Sequence, residues 1–270
     1  MIKSKILLLA LASYFFYIKE TCVWAETLSD RASNPITNLS QLQFENDFSP
    51  RNYGSKNSSN ILSIKPLIAL NKTKAFPFEQ LIRVKFQVPT LPKSAKTKKG
   101  TSLGDTQIFD LFITEEPAWG RWGIGPIAIF PTATTLEAGQ GKWQIGPALG
   151  ISVLKLTGWQ IGFLAQNPIS FAGNPEKPKQ NYLFFQPFII YHFLKNSYFI
   201  SNGEWTIDWL SHTKQIPINI GIGYTTSFIK EFKVDSLLQF QYMVYQNATK
   251  NTGFVNHYTI QLSLSMLFPE

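Results

Sequence analysis

The chain holds 270 residues, with 25 Lys and Arg against 17 Asp and Glu for a net charge of +8, yet only 16% of it is charged and 14% is aromatic. That much apolar material excludes disorder over most of the length, and a single cysteine excludes a disulfide framework. Beyond the N-terminal segment, no apolar run approaches the ~18–20 residues of a membrane-spanning helix.

The first segment, 1–25, reads as an address. Lys3 and Lys5 precede an apolar stretch from Ile6 to Ile18, and Val23-Trp24-Ala25 offers small residues at the −3 and −1 positions of a signal-peptidase site. Cleavage is expected after Ala25, which removes Cys22. Residues 26–40 are polar and lack periodicity, so they read as a flexible N-terminal arm. From Gln41 to the end, 41–270, the dominant period is two, the spacing of β-strands with unlike faces.

In chain order, Ile82, Val84, Phe86 and Val88 alternate with Arg83, Lys85 and Gln87. Trp143, Ile145, Pro147, Leu149 and Ile151 alternate with Gln144, Gly146, Ala148, Gly150 and Ser152. Ile216, Ile218, Ile220 and Ile222 face away from Asn219, Gly221 and Gly223. The last stretch sets Tyr258, Ile260, Leu262, Leu264, Met266 and Phe268 against Thr259, Gln261, Ser263 and Ser265. Counting such segments gives about twelve strands, with short and long connections alternating and one long exception at 70–78. The expected fold is all-β: an antiparallel transmembrane β-barrel that follows a cleaved signal peptide.

A soluble sandwich would show the same alternation, and three features argue against it. The polar faces carry Gln, Asn, Ser, Thr and Gly rather than Lys and Glu, as suits a confined wet interior. The strands are long enough for a tilted ~9–11-residue crossing. Trp119, Trp122, Trp143, Trp159, Trp205 and Trp209 fall at strand ends, where interfacial girdles sit. The expected location is the outer membrane of a Gram-negative bacterium.

Six ordered motifs add a resemblance. They are Gln43-Phe44-Glu45-Asn46-Asp47-Phe48-Ser49-Pro50, Phe78-Glu79-Gln80-Leu81-Ile82-Arg83 and Leu103-Gly104-Asp105-Thr106-Gln107-Ile108-Phe109-Asp110, followed by Trp119-Gly120-Arg121-Trp122-Gly123-Ile124-Gly125-Pro126, Gly141-Lys142-Trp143-Gln144-Ile145-Gly146-Pro147-Ala148 and Gln166-Asn167-Pro168-Ile169-Ser170-Phe171-Ala172-Gly173. Together they resemble the bacterial outer-membrane proteins linked to the meta-pathway of phenol degradation, from about Gln41 to Phe268. The resemblance implies a porin-like barrel with a transport role. The loop at 93–100, with Lys93, Lys96, Lys98 and Lys99, is more basic than that family leads one to expect.

No enzymatic constellation stands out. His192, His212 and His257 lie far apart, without metal-ligand spacing, and Ser211-His212 lacks a third supporting group. Gly139-Gln140-Gly141-Lys142 lacks P-loop spacing and a following helix, so it reads as a hairpin loop. The expectation is no enzyme activity, no cofactor and no nucleic-acid partner. The expected partners are outer-membrane lipids, the outer-membrane assembly machinery, and small hydrophobic or aromatic solutes.

The site candidates are charges within strands, because a charge on a lipid face costs ~2–4 kcal/mol at the midplane for Arg or Lys. Arg83, Lys85, Asp105, Asp110, Arg121 and Asp208 are therefore expected to line the lumen, pair with one another or sit at the rim, with Glu45 and Asp47 able to join them. Two readings stay open. In one, the charges line a path for passive transport of small molecules. In the other, they fill the lumen of a structural or surface-interaction barrel.

Overall fold

The computed structural model describes residues 26–269 apart from 75, 115–118, 155 and 230–231; the expected signal peptide lies outside the described residues. A short helix, α1 (Leu28–Ser33), precedes the sheet. The strands begin with β1 (Ser40–Tyr53), β2 (Ser59–Leu70), β3 (Glu79–Leu91), β4 (Gly100–Thr101) and β5 (Thr106–Ile113). They continue with β6 (Gly120–Phe130), β7 (Lys142–Val153), β8 (Trp159–Gln166), β9 (Ile169–Gly173) and β10 (Tyr182–Leu194). The rest are β11 (Ser197–Ser201), β12 (Trp205–Asp208), β13 (Thr213–Ile229), β14 (Phe232–Gln246) and β15 (Val255–Phe268), with α2 (Thr249–Thr252) before the last.

All pairings are antiparallel and the sheet closes on itself. β15 meets β1 from Ser40↔Phe268 to Tyr53↔Val255, and β8 meets β10 from Phe184↔Gln166 to Tyr191↔Trp159. The strand segments form a 12-strand closed barrel, because β8 with β9, and β11 with β12, are each one broken stave and β4 is a short appendage of β3. The β8–β9 break falls at Asn167-Pro168, where proline has no N–H to give the ladder. β1 runs on past Pro50 to Tyr53, with a register shift between Phe48 and Arg51 that takes up Pro50 as a bulge.

The faces fall as the period-two pattern requires. On β15, Ile260, Leu262, Leu264 and Phe268 are exposed, while Thr259, Ser263 and Ser265 are buried inside. On β13, Ile218, Ile220, Ile222 and Tyr224 are exposed while Asn219 and Thr225 are buried. In water this apolar outer wall would aggregate; in lipid it is the solvated face, and closure leaves no unpaired edge.

Tryptophan marks both ends of that wall. Trp119, Trp122 and Trp159 lie at the end with the short turns and both termini, where the Trp159 and Tyr191 ring centroids are 4.5 Å apart. Trp143 and Trp209 are exposed at the long-loop end, where Trp143 meets Phe130 at 5.5 Å. Barrels of this kind keep short turns on the periplasmic side and long loops outside. The long turn at 71–78 has a physical reason: it lays Phe76 and Phe78 on the girdle, with Phe76 5.6 Å from Phe112.

Among the described residues no helix is long and apolar enough to cross a membrane. Leu264, opposite Phe44 and Ser236, tests the wall's orientation. Leu264→Arg is expected to cost roughly 2–4 kcal/mol of barrel stability, read as loss of the heat-modifiable folded band on gels, whereas Ser263→Ala on the inner face leaves that band intact.

Candidate functional site: the barrel lumen

The inner face is not uniformly polar. Toward the turn end it carries a buried apolar cluster that includes Leu81, Leu111, Phe188, Ile190 and Tyr198, and at its centre sits Ile36, fully buried. Residues 26–39 are not the loose arm expected from their composition. They fold back into the barrel and close its periplasmic half.

Local chemistry shapes this segment. Thr27 and Asp30 form a reciprocal capping box: the Thr27 N–H donates to the Asp30 carboxylate at 2.7 Å, and the Asp30 N–H donates to the Thr27 hydroxyl at 3.2 Å. A six-residue helix is not stable alone, so the wall must hold it. Arg121, buried on β6, pairs with Glu26 at 2.5 Å, and Gln160 on β8 donates to the Asp30 carbonyl at 3.0 Å. His192 on β10 lies 3.2 Å from the Asp30 carboxylate. Asn34 donates to the Ser152 hydroxyl on β7 at 2.9 Å, and Arg83 on β3 donates to the Pro35 carbonyl at 3.0 Å.

Five strands thus grip one segment through side chains, each bond worth about 0.5–1.5 kcal/mol net. Gly150 leaves the space that Ile36 fills; a Cβ there would lie 2.7 Å from the Ile36 Cδ1.

Toward the loop end the lumen becomes polar. Lys65 on β2 pairs with Glu45 on β1, so Glu45 belongs to the charge network. Arg83 and Lys85 project inward from β3, and the Arg83 guanidinium lies 5.0 Å from the Phe109 ring centroid. Lys65, Arg83, Lys85, Gln166 and Glu204 border an inner cavity of about 60 Å³. Outside it is a vestibule of about 240 Å³, bordered by Gln87, Ile129, Gln140, Tyr182 and Phe184. Gln107 borders both, and its side chain donates to the Gln166 amide oxygen at 3.3 Å. On the far wall Asn202, Asn219 and Gln239 are joined by amide hydrogen bonds of 2.7–2.8 Å.

The structure therefore separates the six charged candidates. Arg83 and Lys85 face the lumen. Arg121 also points inward, but it anchors the arm. Asp105 lies at the outer mouth, where it accepts the Ala133 N–H at 3.2 Å and the Gln140 N–H at 2.6 Å and so pins the 131–141 loop. Asp208 accepts the Leu210 and Ser211 N–H groups at 2.9 and 3.1 Å, and the Ser211 hydroxyl at 2.6 Å. It caps the turn before β13 and borders neither cavity. Ser211 is thus committed to this turn, in which His212 adopts a positive φ of 54°.

Asp110 is a correction: it does not face the lumen. Phe109, Leu111 and Ile113 are buried inward, so the β5 alternation turns Asp110 outward beside Gln80, whose amide donates to it at 3.0 Å. That amide meets one carboxyl oxygen, while the other is buried without a hydrogen-bond partner among the described residues. The Gly139–Lys142 segment is a loop that closes on its own chain, with the Lys142 ammonium 2.7 Å from the Asn174 carbonyl.

Sequence reasoning missed the arm, Lys65, Gln166 and Glu204. The arm had a signal, because Thr27-x-x-Asp30 is a helix-start pattern and Ile36 and Leu39 are apolar residues with no lipid to meet. Among the described residues no cluster of His, Cys, Asp and Glu is arranged to hold a metal ion.

No protein-family model and no curated protein matches the chain. An outer-membrane channel from Pseudomonas putida F1 is similar in structure, with a TM-score of 0.58 at 9% identity over 85% of this chain and 94% of that one. The NanC porin gives 0.49 at 10% identity over 85% and 100% of the two chains. Outer-membrane phospholipase A from Escherichia coli gives 0.43 at 11% identity over 88% and 94%. The fold is that of the bacterial outer-membrane β-barrels.

Gly150→Val tests the arm. It is expected to expel Ile36 and raise trypsin cleavage after Arg31 by about tenfold or more, as local opening replaces a buried contact. In contrast, Asp208→Ala is expected to cost only about 1 kcal/mol at the turn and to leave that cleavage unchanged.

Proposed function

We propose that the chain is a passive outer-membrane channel for small solutes with an aromatic or apolar body, seen with its periplasmic half closed by residues 26–39. The observation that carries this reading is the stacked pair of cavities entered from the loop end, sharing Gln107 and ending above the arm. A barrel filled only for stability has no reason to leave Arg83 and Lys85 without a direct ion pair among the described residues inside its lumen. The arm is attached by side-chain bonds and by the packing of Ile36, Ala32 and Leu39 rather than by ladder pairing, so it can leave without breaking the wall. The resemblance of the six motifs to the phenol-pathway proteins supports an aromatic class of solute, with Arg83 and Lys85 as the selecting residues.

A second reading has its own observation. Ile36 sits fully buried among apolar wall residues, which favours a permanently filled barrel with a structural or surface role. Single-channel recording in planar bilayers separates the two. Deletion of residues 26–39 is expected to raise conductance by about tenfold or more while keeping the heat-modifiable band, since the wall keeps its own ladder. A deletion variant that no longer folds, with a silent wild type, would favour the filled barrel.

A further inference from the structure

The inner cavity is lined mainly by groups that donate. Lys85 has no hydrogen bond or ion pair among the described residues, and Arg83 spends one nitrogen on the Pro35 carbonyl without a carboxylate in ion-pair range. Gln166 is 4% exposed, and its amide nitrogen is buried with no hydrogen-bond partner. An unmade bond of this kind costs about 1–3 kcal/mol in a buried site. Two cations bordering one small space, with an unpartnered amide N–H buried in its wall, suit an acceptor, and most of all a carboxylate.

Size limits what enters. A cavity of about 60 Å³ holds about two waters at ~30 Å³ each, enough for a carboxylate group and not for a ring. The vestibule beyond Gln107 is larger and of mixed character, bordered by Asp105 and Glu137 as well as by aromatic rings. Its 240 Å³ exceed the roughly 150 Å³ that accommodates benzene in a dry cavity. Tyr182 and Phe184 border it with ring centroids 4.8 Å apart, beside Ile129.

We infer that the lumen holds a binding site for small aromatic monocarboxylates, with the ring in the vestibule and the carboxylate on Lys85, Arg83 and Gln166. This rests on the channel reading and narrows its solute class. Glu204, on the turn between β11 and β12, borders the same inner cavity and is itself exposed. It is the resident counter-charge that an incoming carboxylate displaces. Glu45 pairs with Lys65 and also lies within electrostatic range of Lys85 and Arg83, and Asp47 on β1 within range of Lys85, so an incoming carboxylate has to share the two cations with these residents.

The test is equilibrium binding of benzoate and of its neutral counterpart benzyl alcohol to the purified full chain, with liposome flux of both solutes. Benzoate is expected to bind about tenfold or more tightly than benzyl alcohol, a difference of ~1.4 kcal/mol. Lys85→Gln abolishes that preference, Lys85→Arg keeps it, and Glu204→Gln, at an exposed turn position, tightens benzoate by several-fold. Equal binding of the two solutes, or benzoate affinity unchanged in both Lys85→Gln and Glu204→Gln, overturns the inference. Flux distinguishes the two levels. If neither solute crosses, the channel reading fails while the binding comparison still decides the site; if benzyl alcohol crosses and benzoate has no advantage in binding, the site alone fails.

Discussion

Hydrocarbon offers no partner to a peptide N–H or C=O, and this one constraint dictates the rest of the molecule. Every strand must find two neighbours, so the first and last must find each other, as Ser40 and Phe268 do. Closure then creates a second problem. A ring of twelve strands encloses a volume that side chains from the wall do not fill on their own. The chain answers it in two ways along one axis: apolar residues and a returning segment at the periplasmic end, and polar side chains with space between them at the outer end.

The lumen is therefore graded rather than uniform. Around Ile36 the packing resembles an ordinary protein core, and the glycine at 150 gives the side chain its seat. At the same end, Tyr198 shows the same device serving a polar group. Its ring lies over Gly223, where a Cβ would come within 2.0 Å of it, and its hydroxyl donates to Asp235 at 2.7 Å, while Thr225 donates to the other carboxylate oxygen. Burying a carboxylate inside a membrane protein is costly unless its lone pairs are met, and here two hydroxyls meet them.

Alternation made the barrel legible in the sequence, because lipid and lumen enforce opposite chemistry on adjacent residues. Ile260, Leu262 and Leu264 can be read as outward without any structure. The fate of individual charges was less legible. Asp208 and Asp105 look like lumen residues by strand position, yet each is consumed by backbone N–H groups of its own or a neighbouring loop. Asp110 escaped the rule that charge avoids the outer face because Gln80, thirty positions away in sequence, supplies a donor there. The arm was illegible for a related reason. Its composition is that of a solvated tail, and only the geometry of the barrel turns Asn34, Asp30 and Glu26 into docking groups.

The join between arm and wall carries a consequence for how the molecule is made. Leu39 is the last residue before β1, and with Ala32 it packs on Leu267, the penultimate residue of β15. The rung that completes the ring is therefore the rung that seats the arm. A nascent chain that zips its final strand before residues 26–39 have entered must afterwards thread a helix through a finished mouth. A chain that admits them first closes over a preformed core. Closure of the ring and docking of the arm are therefore coupled through one contact, because Leu267 serves both.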